Sequence, residues 1–151
     1  MRDIDVRRAR IEEIRPLAGE YLAEQQRLFG EPTDAPVPQG GIFWLAVDSA
    51  THDPVGYAAG TLRASGCTIG PVFTRTNARR RGVGEALLTA IQTWAGETRV
   101  PVVEISVDAD NTTGRAFLES LGYVPRRVLM SLTPEGARAA PPDSSALRSG
   151  G

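Results

Sequence analysis

Thr68-Ile69-Gly70-Pro71-Val72-Phe73-Thr74, followed after Ala78 by Arg79-Arg80-Arg81-Gly82-Val83-Gly84-Glu85, is the stretch on which the reading of this chain turns. An apolar run of strand type breaks into a glycine-containing turn, and a helical pattern opens behind it. Such a turn leaves the first N–H groups of the helix unpaired and pointing outward, backed by the positive end of the helix dipole, so that anions collect there. Gly82 and Gly84 carry no Cβ and let the backbone approach a phosphate closely. Three arginines surround the turn with donors that cannot be deprotonated. The arrangement predicts a pyrophosphate cradle. No Lys-Ser/Thr follows the second glycine, which excludes a P-loop, and Leu87 stands where a dinucleotide fingerprint would place its third glycine.

Working outward, Ile4 to Ala9 alternates apolar and polar residues as a first strand does. Ile11 to Phe29 carries apolar residues at helical spacing and predicts one amphipathic helix, or two with a break near Pro16 or Gly19. Gly30 to Gly41, rich in proline and glycine, reads as a loop. Ile42–Val47 and Pro54–Ala59 form strands joined by a hairpin turn over Asp48 to Asp53. Beyond the phosphate turn, Val83, Ala86, Leu87, Ala90, Ile91 and Trp94 recur at helical spacing, with Gly96 as the expected helix end. Val102–Val107 is a further strand, Thr112 to Ser120 a short helix with Gly122 just past it, and Val124 to Leu132 one or two closing strands. From Pro134 the residues are small, polar and proline-rich, which predicts a disordered tail over 134–151 behind a single domain at 1–133.

The turn fits an Arg/Gln-x-x-Gly-x-Gly/Ala signature through Arg79, Gly82 and Gly84, and with it the chain resembles the GNAT superfamily of N-acetyltransferases. Thr68–Thr74 stands where that family has its fourth strand and Val102–Val107 where it has its fifth. Asn111, Phe117, Gly122 and Tyr123 resemble its Asn-x-x-Ala and Phe-Tyr-x-x-x-Gly-Phe segment, so the likeness extends over roughly Val6 to Leu132. Two positions depart: Leu118 replaces a tyrosine that many members carry near the CoA sulfur, and Gly114 replaces the usual alanine. The resemblance implies an α/β (α+β) fold. Its mixed, mostly antiparallel central sheet would have six or seven strands, splayed between the fourth and fifth and flanked by about four helices.

Composition bounds the rest. A chain of 151 residues with 41% hydrophobic content buries one ordinary core. No apolar run is long enough to span a bilayer and charges occupy the N-terminal region, so no membrane role is expected and the expected location is cytoplasmic. Cys67 and His52 are the single cysteine and histidine, which leaves neither a disulfide nor a zinc site, and no metal is expected. A formal net charge of −1 disfavours nucleic-acid binding. Every basic residue is arginine, a bias that a GC-rich coding sequence would produce.

The activity implied by the resemblance is transfer of an acetyl group from acetyl-CoA to a primary amine. Backbone groups of Val72, Phe73 and Thr74 would hold the pantetheine and thioester carbonyl. Arg79, Arg80, Arg81, Gly82, Val83 and Gly84 would hold the diphosphate, and Asn111 and Phe117 would approach the sulfur end. Glu104, Ser106 and Asp108 share one face of the fifth strand, so Glu104 is the first candidate base, acting through water, and Asp108 the second. Glu104 paired with an arginine at a sheet edge is the competing reading. Tyr123 or a water could supply the proton that Leu118 cannot. Between Ile11 and Asp34 six acids face two arginines. The resemblance makes this segment line the acceptor site, with Glu24 and, from the third strand, Tyr57 as candidate substrate contacts; the acids would draw in a cationic amine. A helix's wet face explains the same acids, and Tyr57 fits core or pocket. Three functions stay open: a small-molecule N-acetyltransferase, a protein or peptide N-acetyltransferase, and a non-catalytic acyl-CoA-binding sensor. A homodimer is the oligomer to test for.

Overall fold

The apolar alternation of the N-terminal two thirds is realised as a five-stranded sheet in sequential order. In the computed structural model, which describes residues 3–29 and 41–134, β1 (Ile4–Ala9), β2 (Ile42–Asp48), β3 (Pro54–Arg63) and β4 (Gly66–Thr74) pair antiparallel, and β5 (Val103–Ile105) adds parallel to β4. Two compact units divide the chain, Met1–Ser106 and Val107–Gly151. The whole sheet belongs to the first, together with α1 (Ile11–Phe29) and α2 (Val83–Thr98); α3 (Thr112–Ser120) belongs to the second. The loop expected over Gly30–Gly41 lies, but for Gly41, outside the described residues, as does the expected tail beyond Pro134.

Helix α1 runs unbroken through Pro16 and Gly19, where a break was one of the expectations. An interior proline costs a helix about 3 kcal/mol. Ile14, Leu17 and Ala18 around it are all buried against Phe43, Leu45, Tyr57, Ala59 and Phe73, and burial of each large side chain returns about 1.5–3 kcal/mol. At the start of α1 the Glu13 carboxylate accepts the Arg10 N–H at 3.0 Å and the Arg7 guanidinium at 2.6 Å, half of a capping box. These bonds, the Arg7 one first, hold its carboxyl down at about 2.

Strand parity turns Trp44 away from Phe43 and Leu45 and onto the opposite face, where its ring meets Trp94 of α2 edge to face at 5.3 Å. There α2 buries Val83, Ala86, Leu87, Leu88, Ile91 and Ala95. A register shift between Ala58 and Gly60 reverses the parity of β4. Ile69 accordingly lies beside Trp44 and Gly60 on the α2 face, while Phe73 joins the α1 core. Close approach explains Gly56: a Cβ there would stand 2.6 Å from the Phe73 carbonyl oxygen and 2.7 Å from Val83 Cγ1, so β3 admits only glycine beneath the first residue of α2.

Helix α2 outruns its expected end at Gly96 and closes at Arg99, which takes the left-handed conformation (φ 61°). The Val100 N–H then reaches Ala95 O at 3.0 Å. Helix α3 stops as expected, with Gly122 at φ 100° and the Tyr123 N–H donating to Leu118 O at 3.1 Å, a glycine-closed end. Among the described residues three α-helices and one 3-10 turn, Thr76–Ala78, stand where about four helices were expected.

Five strands among the described residues replace the expected six or seven. Val124–Leu132 forms none: Val128, Leu129, Met130 and Leu132 are 73–91% exposed. Pro125 lacks a backbone donor, and a strand exists only through a ladder partner, which this segment does not have among the described residues. The strand expected over Val102–Val107 also shrinks to Val103–Ile105.

Candidate functional site

The turn before α2 is shaped by two left-handed residues, Arg80 at φ 69° and Gly82 at φ 79°. Gly82 is the N-cap of α2 and no side chain caps the helix. The first intrahelical bond runs from Ala86 N–H to Gly82 O at 2.9 Å, so the N–H groups of Val83, Gly84 and Glu85 have no helical acceptor. Apart from the adjoining backbone, nothing among the described residues lies within 4 Å of where a Cβ on Gly82 or Gly84 would stand. Open space and unmet donors therefore coincide, a combination suited to a phosphate.

The arginines around this turn are mostly engaged. Arg79 Nη2 donates to both carboxylate oxygens of Glu24, at 2.7 and 2.9 Å, and its Nε to Thr74 O at 3.2 Å. Arg81 Nη2 donates to Asp48 Oδ2 at 2.7 Å. Arg75 Nε meets Glu20 at 3.0 Å and its Nη1 the Pro54 carbonyl at 3.2 Å. Asp48 also accepts the Thr51 and Ala50 N–H groups on Oδ1. These backbone bonds, the Thr51 one foremost, and Arg81 hold its carboxyl at about 2. Arg80 is exposed and has no partner among the described residues.

Next to this turn the sheet comes apart. β4 and β5 pair only from Cys67↔Val103 to Ile69↔Ile105, while β4 continues to Thr74 along β3. Past Ile69 the β5-side edge of β4 has no ladder partner among the described residues, which leaves the edge-facing backbone groups of Gly70–Phe73 open for a ligand, while the Thr74 carbonyl is taken by Arg79. A cavity of about 390 Å³ lies at the divergence, lined by Thr61, Thr68, Ile69, Gly70, Pro71, Val72, Ile105 and Ser106. Its wall holds hydroxyl and apolar groups and no ionisable side chain. Glu104 is the register partner of Thr68, next in sequence to Ile105 of the wall.

A model of the acetyltransferase (GNAT) family matches residues 8–123. The chain belongs to that family. GNAT proteins are acyltransferases whose typical cosubstrate is acetyl-CoA, and the match runs across the boundary between the two units. No curated protein matches the chain in sequence. Among solved structures, an integron cassette protein from V. cholerae is 18% identical with TM-score 0.65 over 90% of this chain and 94% of its own. A GNAT-family acetyltransferase from Staphylococcus aureus Mu50 is 18% identical with TM-score 0.63 over 89% and 94%. AAC(6')-Iy, in complex with the bisubstrate analog CoA-S-monomethyl-acetylneamine, is 19% identical with TM-score 0.62 over 87% and 98%. At such identities the likeness is one of fold.

Within this GNAT chain the structure brings together Arg79–Gly84, Val72–Thr74 and Glu24, all in the first unit and linked through the Arg79 bonds to Thr74 and Glu24. Phe73 buries its ring with Tyr57 and Tyr21, at 6.1 and 5.8 Å, so only its backbone faces the open edge. Tyr57 is 0% exposed: it is a core residue rather than a pocket wall, and burial drives its phenol well above the ordinary range. Glu24, expected to meet an acceptor, meets Arg79 instead. The other described acids of that rim are paired as well, Glu13 with Arg7, Glu20 with Arg75 and Glu12 with Arg10 at 3.9 Å, while Glu31 and Asp34 lie outside the described residues.

The remaining candidates stand in the second unit. Asp108 is exposed, and its carbonyl accepts the Asn111 N–H at 3.0 Å. Asn111 Oδ1 accepts the Gly114 N–H at 2.9 Å, so this side chain caps α3. A Cβ on residue 114 would stand 2.6 Å from Asn111 Nδ2, so an alanine there would require the asparagine side chain to shift. Phe117 and Tyr123 are half-buried, and Leu118, at the tyrosine position, is 8% exposed. Sequence reasoning missed Asp48, Arg75 and the Thr61–Thr68 wall. The hairpin-turn pattern marks Asp48 as a turn residue but carries no trace of Arg81. Among the described residues no cluster of His, Cys, Asp or Glu could hold a metal, and no helix is long and apolar enough to cross a membrane.

Proposed function

We propose that this chain moves an acetyl group from acetyl-CoA to a primary amine of a small molecule by direct attack, within one domain over residues 1–133. The observation that carries the proposal is the uncapped start of α2 beside the open edge of β4. The N–H groups of residues 83–85 and the side chain of Arg80 would take the diphosphate, and backbone groups of Val72–Thr74 would take the pantetheine and polarise the thioester carbonyl. Each well-placed donor to a developing oxyanion contributes about 3 kcal/mol.

In the reaction the amine nitrogen bonds to the thioester carbon, the C–S bond breaks, and the sulfur leaves with its electron pair. The nitrogen sheds one proton, for which Glu104 through water is the first acceptor and Asp108 the second. A thiol pKa of about 8.5 lets the sulfur leave as thiolate or take a proton from Tyr123 or water. A free alkylammonium has a pKa near about 10. Entry into an uncharged cavity lowers it and frees the lone pair. The cavity's volume, about 390 Å³, falls in the range of small-molecule sites, roughly 300–1,000 Å³, and favours a small acceptor over a protein. A non-catalytic acyl-CoA sensor is supported by Leu118, which provides no acid.

Thiol release from acetyl-CoA, followed across a panel of amines, tests the proposal. Turnover with a small amine is the expected result. Binding of acetyl-CoA without turnover across the panel would move the assignment to the sensor, and failure to bind at all would remove the diphosphate reading.

A further inference from the structure

We propose that Glu24 and Asp48 are positioning residues of the anion turn, and that the arginine triplet divides its labour: Arg79 and Arg81 clip the turn in place while Arg80 meets the ligand. This rests on the reading of the turn as the coenzyme's diphosphate site. The Glu24 and Asp48 side chains are 15% and 18% exposed, so both ion pairs are partly withdrawn from water, where such pairs count for more than on an open surface. Glu24 receives Arg79 through two short bonds to one nitrogen, and the same guanidinium holds the Thr74 carbonyl. One carboxylate therefore fixes the turn to α1 and to the end of β4. Asp48 works from the other side. Its Oδ1 closes its own hairpin turn through the Ala50 and Thr51 N–H groups, and its Oδ2 takes Arg81, which couples the β2–β3 hairpin to the turn. Between the two clipped arginines Arg80 sits in a strained left-handed conformation at φ 69°, which persists only when its surroundings over-determine it. The clips supply that determination and leave the uncapped amides of α2 facing open space. They also neutralise two of the three positive charges, so Arg80 is the charge left for a phosphate.

Coenzyme A affinity, measured by calorimetry on the full chain, tests this. Asp48→Asn keeps the Oδ1 acceptor of the hairpin turn and puts an uncharged amide NH2 where Oδ2 accepted Arg81; Glu24→Gln likewise removes the charge and one of the two acceptors that hold Arg79. Each should weaken coenzyme A binding about tenfold and lower the melting temperature of the ligand-free protein only slightly. Arg81→Gln combined with Asp48→Asn should bind no worse than the weaker single variant, because both remove one clip. Arg80→Gln should leave the ligand-free melting temperature unchanged and multiply the loss of either clip variant. Wild-type affinity in both Asp48→Asn and Glu24→Gln overturns the inference while leaving the diphosphate reading intact. Multiplying losses for Asp48→Asn and Arg81→Gln also overturn it, since Arg81 would then touch the ligand directly. No binding by the wild type overturns the diphosphate reading and this inference together. Should Asp48→Asn not fold, Glu24→Gln carries the test, and the exchange of Glu24→Arg with Arg79→Glu should recover affinity lost in Glu24→Arg alone.

Discussion

At the start of α3, Asn111 turns its side chain onto the Gly114 N–H at 2.9 Å, whereas at the start of α2 Gly82 has no side chain to turn and the first amides stay open. The far ends differ too. Helix α3 closes on Gly122, for which a positive φ is free of strain, while α2 closes on Arg99, which reaches φ 61° against the preference of any residue with a Cβ. One helix follows the local rules at both ends and the other departs from them at both. Local rules serve stability, so a departure that persists marks either a function or a tolerated cost. The N-terminal departure of α2 coincides with an arginine cluster and a splayed sheet; the C-terminal one coincides with neither.

The largest effect should come from Gly56→Ala, because the new Cβ would press on Val83, the first residue of α2, and on the Phe73 carbonyl. Overpacking of this kind costs about 1–3 kcal/mol, readable as a lower midpoint in urea; an unchanged midpoint would mean that α2 is not seated there. Gly82→Ala should follow at about 1–2 kcal/mol, the cost of a left-handed residue with a Cβ, together with weaker coenzyme A binding. A fully retained affinity would separate the turn from the ligand. Asn111→Ala should cost about 1 kcal/mol through loss of the α3 cap, and Asn111→Asp, which still accepts the Gly114 N–H, should recover it. Arg99→Gly should raise stability by about 0.5–1 kcal/mol by relieving the left-handed arginine; a loss instead would assign that arginine a role. The smallest effect is set by pH. Asp48 ionises at about 2 when folded against an ordinary 3.8, so the stability it adds is complete above the ordinary value and disappears as pH falls through the folded one. Asp48→Asn should therefore be less stable than the wild type near neutrality, and the difference should fall away as pH drops through about 2.

Most of the fold was legible because its elements are periodic. Alternation located β1, apolar runs bounded by turn residues located β2 to β4, helical spacing located α1 and α2, and the glycines placed both the phosphate turn and the end of α3. The end of α2 misled because Gly96 follows the helical stripe and looks like a stop, yet glycine inside a helix costs only about 1 kcal/mol and two further residues, Glu97 and Thr98, fit before the cap at Arg99. Val124–Leu132 has strand composition, but composition supplies no partner. At the site, the turn was readable as local chemistry, whereas the fate of its charges was not. Glu24 lies 55 residues from Arg79 and Asp48 lies 33 from Arg81, separations at which a sequence shows charges without showing which ones meet. The acids of α1 were therefore readable either as a rim drawing in a cationic acceptor or as a wet helix face, and the sequence did not show that Glu12, Glu13, Glu20 and Glu24 meet arginines. Tyr57 was ambiguous for a related reason. Helices cover both faces of the sheet, and parity alone does not distinguish a covered face from a pocket.

Trp44 and Trp94 are the chain's two tryptophans, and they touch each other, with the Arg8 guanidinium 5.6 Å above the Trp44 ring. All indole emission of this protein thus originates at one contact between a strand and α2, in the unit Met1–Ser106. Fluorescence will register the undocking of α2 from the sheet and will be blind to events in Val107–Gly151, which contains no indole. Ellipticity at the peptide wavelengths sums over both units, so superimposing the two melting curves distinguishes one cooperative transition from two.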